Sequence, residues 1–175
     1  MGTQQEMGLV QVYFGRGKGK TTAALGLAFR AVGRGLRVHM IQFMKGFDYG
    51  ELHAAKKCEL FEITQSGRPD FVSEPTVTDI EMGKEGLEFA RKTIMGGEYD
   101  IVILDEIGMA IEHSLIDVNA VLELLDNKRS EVEIILTGAT MHPKLLERAD
   151  LITEMRLVKH PFSTQGLGPR LGIEY

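Results

Sequence analysis

Val10-Gln-Val-Tyr-Phe-Gly-Arg-Gly-Lys-Gly-Lys-Thr-Thr22 is the stretch whose reading decides the fold. An apolar, β-branched run enters a glycine-rich loop, and the loop closes on Gly-Lys-Thr-Thr at the start of a helical pattern. Glycines 15, 17 and 19 let the backbone turn tightly with its N–H groups facing inward. Lys20 adds a cation, and the Thr21 hydroxyl can hold magnesium at a helix N-terminus that already favours anions. The expectation is a nucleoside triphosphate site. Only three residues separate Gly15 from Gly19, whereas the ordinary loop has four, and the place of its first glycine is held by Phe14. The loop is therefore either one residue short or a related variant.

A second stretch supports the first. Tyr99-Asp-Ile-Val-Ile-Leu-Asp-Glu106 is an apolar run closed by two carboxylates, the pattern of a central parallel strand that delivers acids to the carboxyl edge of a sheet. Asp105 and Glu106 are expected to face the phosphates and their magnesium; capping of the following helix is the competing role for either one. Strands are predicted near residues 9–14, 37–43, 59–64, 100–104, 133–137 and 151–156. Helices are predicted near 20–34, 79–95, 118–127 and 144–149, with Asp117 and Pro143 suited to starting the last two. The alternation is that of an α/β protein: a single-domain, P-loop NTPase-like fold with a mostly parallel central sheet and helices on both faces. Right-handed crossovers would bring the loop, the end of the Asp105 strand and the segment after Phe43 to one sheet edge, where the site is placed.

The 175 residues suffice for one domain with a full core, taken as residues 1–175. A net charge of -5 gives no basic footprint for nucleic acid, although Arg16, Lys18 and Lys20 form a local positive patch suited to phosphates. Cys58 is the single cysteine, so no disulfide framework exists, and the five histidines show no zinc-type spacing. A cytoplasmic location fits. Residues 1–6 lack an apolar signal core, and no segment approaches a membrane span.

The chain resembles the ATP:corrinoid adenosyltransferases over nearly its whole length. The resemblance is carried by Gly-Arg-Gly-Lys-Gly-Lys-Thr-Thr from Gly15, Arg30-Ala-Val-Gly-Arg-Gly, Gln42-Phe-Met-Lys-Gly46, Gly50-Glu51 and Gly67-Arg-Pro-Asp-Phe-Val72. Tyr99 to Glu106, Leu136-Thr-Gly138, Ala149 to Met155, Lys159-His-Pro-Phe and Gly172-Ile-Glu-Tyr175 complete it. The shortened loop is this family's own pattern. The resemblance implies transfer of the 5'-deoxyadenosyl group of ATP to the cobalt(I) of a reduced corrinoid, with release of triphosphate. It further implies that Gly15, Arg16, Gly17, Lys18, Gly19, Lys20, Thr21, Thr22 and Arg30 bind ATP, and that Lys20, Thr21 and Glu106 serve the reaction. Thr21, Asp105 and Glu106 would hold magnesium, while Gln42, Lys45, Glu51 and Phe71 would lie on the corrinoid side. Arg30 read by position alone is a solvated helix residue, and Phe71 a core anchor. A flavoprotein electron donor and a homodimer are the implied partners, with no nucleic acid or membrane.

Two positions depart from many relatives, Gly108 where Asn or Thr is common and Ala139 where Arg is common. A longer N-terminal segment that covers the nucleotide in some relatives is expected to be absent or different here. By motif alone, a hydrolytic ATPase, a kinase and a non-catalytic corrinoid carrier stay open beside adenosyl transfer.

Overall fold

A computed structural model describes residues 8–69 and 74–175. Its strands are β1 (Val10–Phe14), β2 (Val38–Phe43), β3 (Phe61–Ser66), β4 (Ile101–Asp105), β5 (Glu133–Gly138) and β6 (Leu151–Glu154). They form one sheet in the order β3-β2-β4-β5-β1-β6, with every pairing parallel. The sheet is thus wholly parallel where the sequence predicts a mostly parallel one. Every residue of β2, β4 and β5 is buried, which is why these strands read as continuous apolar runs rather than alternating ones. The edge strand β6 is exposed along its length.

Between the strands lie α1 (Lys20–Val32), α2 (Gly50–Ala55), α3 (Val77–Gly96), α4 (Ile107–Glu112), α5 (Val118–Asp126) and α6 (Pro143–Arg148), followed by α7 (Pro161–Gln165). Alternate strand residues serve two cores. Met40, Ile103 and Ile135 pack on one face with Ala24, Ala28 and Ala31 of α1, whose small side chains at helical spacing allow close approach. Ile41, Val102, Leu104, Ile134 and Leu136 face the other way, against Leu87, Ala90 and Ile94 of α3 and Val121, Leu124 and Leu125 of α5. Helices therefore cover both faces, as predicted.

The helix ends follow the local chemistry. Thr76 and Asp79 form a reciprocal capping box at the start of α3, and Gly97, at φ 73°, ends it. The Asp117 carboxylate accepts from the Asn119 amide at the start of α5, and Pro143 occupies the first turn of α6 behind His142. The predicted boundaries hold to within about two residues. Three short helices, α2, α4 and α7, were not predicted. At five or six residues each they carry too little periodicity to read.

Candidate active site

β5 lies between β4 and β1, so the glycine loop and the acidic strand end sit on opposite flanks of one inserted strand. Phe14 pairs in register with Gly138 on one side and Glu154 on the other. The loop leaves the sheet at Gly15, whose φ of 112° is open to glycine at little cost. The Gly15 amide donates to the Gly138 carbonyl at 3.2 Å, and the Gly17 amide to the Met155 carbonyl at 2.7 Å. A side chain at Gly15 would place its Cβ 2.5 Å from that same Met155 oxygen. The exit from β6 thus braces the loop, a contact that local sequence does not announce.

The Lys20 ammonium turns back into the loop and donates to the Gly17 carbonyl at 2.9 Å. Gly19 caps α1 without any side-chain hydrogen bond, and the first turn carries no acid, which leaves its amides open to an anion.

Asp105, fully buried at the end of β4, is the hub of the site. Its Oδ1 accepts from the Thr21 hydroxyl at 2.9 Å and the Thr137 hydroxyl at 2.7 Å. Its Oδ2 accepts from Lys45 Nζ at 2.7 Å and, at 3.5 Å, from Gln42 Nε2. Burial by itself would lower the Lys45 pKa. Attraction and hydrogen bonding to Asp105, with Glu106 and Glu51 behind, outweigh burial and raise it. The four donors satisfy the hydrogen-bonding capacity of a carboxylate at zero exposure.

Glu106 begins α4 at φ 60° but makes no side-chain cap, so the capping role weighed for it is not the one it takes. Burial, and then repulsion from Asp105, push its pKa up, against the pull of Lys45 and Lys20. Behind it, Gly108 packs on the next loop so tightly that an added Cβ would lie 2.0 Å from the Thr140 carbonyl oxygen. The two departures are neighbours in this sense: Gly108 packs against Gly138 and Thr140, the residues that flank Ala139 in the chain.

Of the residues expected on the corrinoid side, three join this same network. Gln42 is fully buried; its Nε2 donates to Glu51 Oε1 at 2.9 Å, and its Oε1 accepts from Gln65 Nε2 at 3.1 Å. Phe71 lies outside the described residues. Arg30 is exposed on α1, ten residues and about 15 Å of helix beyond Lys20, near Tyr13 and not on the cleft wall. Arg16 and Thr22 are exposed as well; Thr22 lines the cleft and Arg16 does not.

The cleft above this edge has a volume of about 890 Å³. Its lining is polar at Lys18, Lys20, Thr21, Lys45, Glu51 and Glu106, and apolar at Leu25, Phe29, Val32, Ala54 and Phe61. Gly172 to Tyr175 close part of the mouth. There Lys18 Nζ donates to Glu174 Oε1 at 2.7 Å and to the Ile173 carbonyl at 3.1 Å. Hydrogen bonds from Arg170 first, then Lys18, hold the Glu174 carboxyl at about 2. The Tyr175 ring meets Phe47 edge-on, and His160 spends its Nδ1 on the Phe162 amide at the start of α7. Thr137, Gln65 and Glu174 are thus site residues that residue-by-residue reading passes over. The Leu-Thr-Gly at 136–138 was visible, but the use of its hydroxyl depends on strand order.

Among the described residues no three His, Cys, Asp or Glu side chains cluster as a metal site, and no helix is long and apolar enough to cross a membrane. Residues 6–175 match the family model described as ATP:corrinoid adenosyltransferase BtuR/CobO/CobP. A corrinoid adenosyltransferase of Escherichia coli K12 is 33% identical over 98% of this chain and 88% of its own length. One from a Sinorhizobium species is 32% identical over 97% and 81%, and corrinoid adenosyltransferase CobA of Salmonella typhimurium is 31% identical over 98% and 88%. A match spanning both the loop of β1 and the closing residues at the cleft mouth leaves no part of the site outside the likeness, and the chain belongs to the ATP:corrinoid adenosyltransferase family.

Proposed function

We infer that this protein transfers the 5'-deoxyadenosyl group of ATP to the cobalt(I) of a reduced corrinoid and releases triphosphate. The observation that carries the reading is the composition of the cleft, in which loop cations share one cavity of about 890 Å³ with an apolar lining. Phosphate chemistry alone needs the cations; a second, bulky substrate with an apolar ring face suits the rest. In the reaction, the cobalt(I) electron pair attacks ribose C5'. The cobalt–carbon bond forms as the C5'–O bond breaks, and the departing pair leaves on the triphosphate. The corrinoid brings the nucleophile, so the protein supplies orientation and charge stabilisation. Lys20, the open amides of α1 and Lys18 receive the phosphates, and Lys45 holds a further positive charge beside them.

The donor set also suits magnesium, which takes one or two carboxylates and fills its remaining positions with phosphate oxygens and water. Thr21 and Glu106 would hold it. Asp105 is committed to four protein donors and would act by aiming the Thr21 hydroxyl oxygen. When bound, magnesium would neutralise charge on the triphosphate. Gln42, Lys45, Glu51 and Phe71 would serve the corrinoid, and Arg30 would serve the nucleotide from further along α1. The family resemblance supports a cytoplasmic homodimer that draws electrons from a flavoprotein. Anaerobic incubation with ATP, magnesium and chemically reduced cob(I)alamin tests the reading. A light-sensitive alkylcobalt spectrum is expected, and its absence with folded protein would overturn it.

A further inference from the structure

The Thr137 hydroxyl bonds to both Asp105 and Glu106. It donates to Asp105 Oδ1 at 2.7 Å and accepts from the Glu106 amide at 2.9 Å. Thr137 is fully buried, on the inserted strand β5, in register with Tyr13 of β1. Two features make this hydroxyl more than a satisfied core group. Glu106 stands at φ 60°, a conformation that costs a residue with a side chain about 1 kcal/mol or more and persists only when its surroundings enforce it. The Thr137 hydroxyl is the acceptor for the Glu106 amide, at the peptide that sets this angle. In addition, Thr21 and Thr137 donate to the same Asp105 oxygen, so the aim of the Thr21 hydroxyl and the direction of Glu106 are coupled through three hydrogen bonds.

We propose that Thr137 is a positioning residue that sets Thr21 and Glu106 jointly toward the phosphates and their cation. The inference rests on the reading of those two residues given above. Replacing the hydroxyl by a methyl leaves the shape of the side chain but removes one donor to Asp105 and the acceptor of the Glu106 amide. Asp105 keeps its bonds from Thr21 and Lys45, so the core is retained, while Glu106 is free to leave its strained angle. The loss is then expected in orientation rather than in folding.

Three variants decide the matter: Thr137→Val, Thr137→Ser and, should the valine pack badly, Thr137→Ala. Two properties are read besides the thermal midpoint. One is the gain in ATP affinity produced by magnesium, measured by calorimetry; the other is kcat against KM for the corrinoid. Thr137→Val and Thr137→Ala are expected to lose about 10- to 100-fold in kcat and in the magnesium-dependent gain, the range seen when a group supporting a metal ligand is removed. The KM for the corrinoid should hold, and Thr137→Ser should restore both readouts. A valine variant with the parent's kcat and the parent's magnesium gain would overturn the proposal, as would a serine variant as impaired as the valine. If the parent protein transfers no adenosyl group, the functional reading fails, yet the calorimetric comparison still decides the role of Thr137.

Discussion

Two regions of the cleft are held by different physics. Beneath the polar lining Asp105, Thr137 and Gln42 are fully buried, and each is bonded to at least two others of the network. The apolar lining and the mouth are loosely committed. Phe29 is 84% exposed, and the tail is held by the exposed pairs of Glu174 with Lys18 and Arg170. A buried, satisfied polar network is rigid and costly to break at any single member, whereas exposed ion pairs contribute little and rearrange readily. The division suits the substrates: a triphosphate must be met by fixed charges, and a large corrinoid must be admitted.

The largest effect should come from breaking the hub. Asp105→Ala leaves the half-buried Lys45 without its partner and two buried or half-buried threonine hydroxyls without an acceptor. A loss of about 3–5 kcal/mol in unfolding free energy is expected, measured by denaturant titration. Lys20→Ala removes a phosphate contact and no core volume. Transfer should fall by about 10²- to 10³-fold or more while the thermal midpoint stays near the parent's, and retained activity would contradict the assignment of the loop. Gly108→Ala forces a Cβ toward the Thr140 carbonyl, 2.0 Å away in the unrelaxed structure. It should destabilise by about 1–3 kcal/mol and lower kcat by displacing Glu106. Glu174→Gln should do least: it weakens the Lys18 contact at the mouth, leaves the thermal midpoint in place, and changes the apparent ATP affinity by less than about fivefold. A Glu174 variant as damaging as the Asp105 one would erase the distinction between the buried network and the mouth.

Much of this is legible in the chain. The phosphate loop and the acidic strand end are local patterns, and both walls of the fold follow from β-branched runs and the alanine stripe of α1. The sequence also records that Asp105 and Glu106 belong together. It does not separate their roles, since burial and φ alone make one the hub and the other the free carboxylate. Thr137 becomes meaningful only because β5 lies between β1 and β4, a non-local fact. Lys45 reads as an ordinary loop lysine until it is found 2.7 Å from a buried carboxylate. Helix α4 escapes notice because a six-residue element packed behind Glu106 has no room for an amphipathic repeat. The brace of Met155 on Gly15 and Gly17 likewise depends on chain 140 residues away, through parallel pairing of β6 with β1.

The account stands most directly on which bond of ATP is broken. With cob(I)alamin, magnesium and ATP under anaerobic conditions, the phosphate product and the alkylcobalt should be quantified in one reaction. Triphosphate released in equal amount to the adenosylcobalamin formed is the predicted result. Orthophosphate released without alkylcobalt would contradict it, and would assign the same loop and carboxylates to hydrolysis.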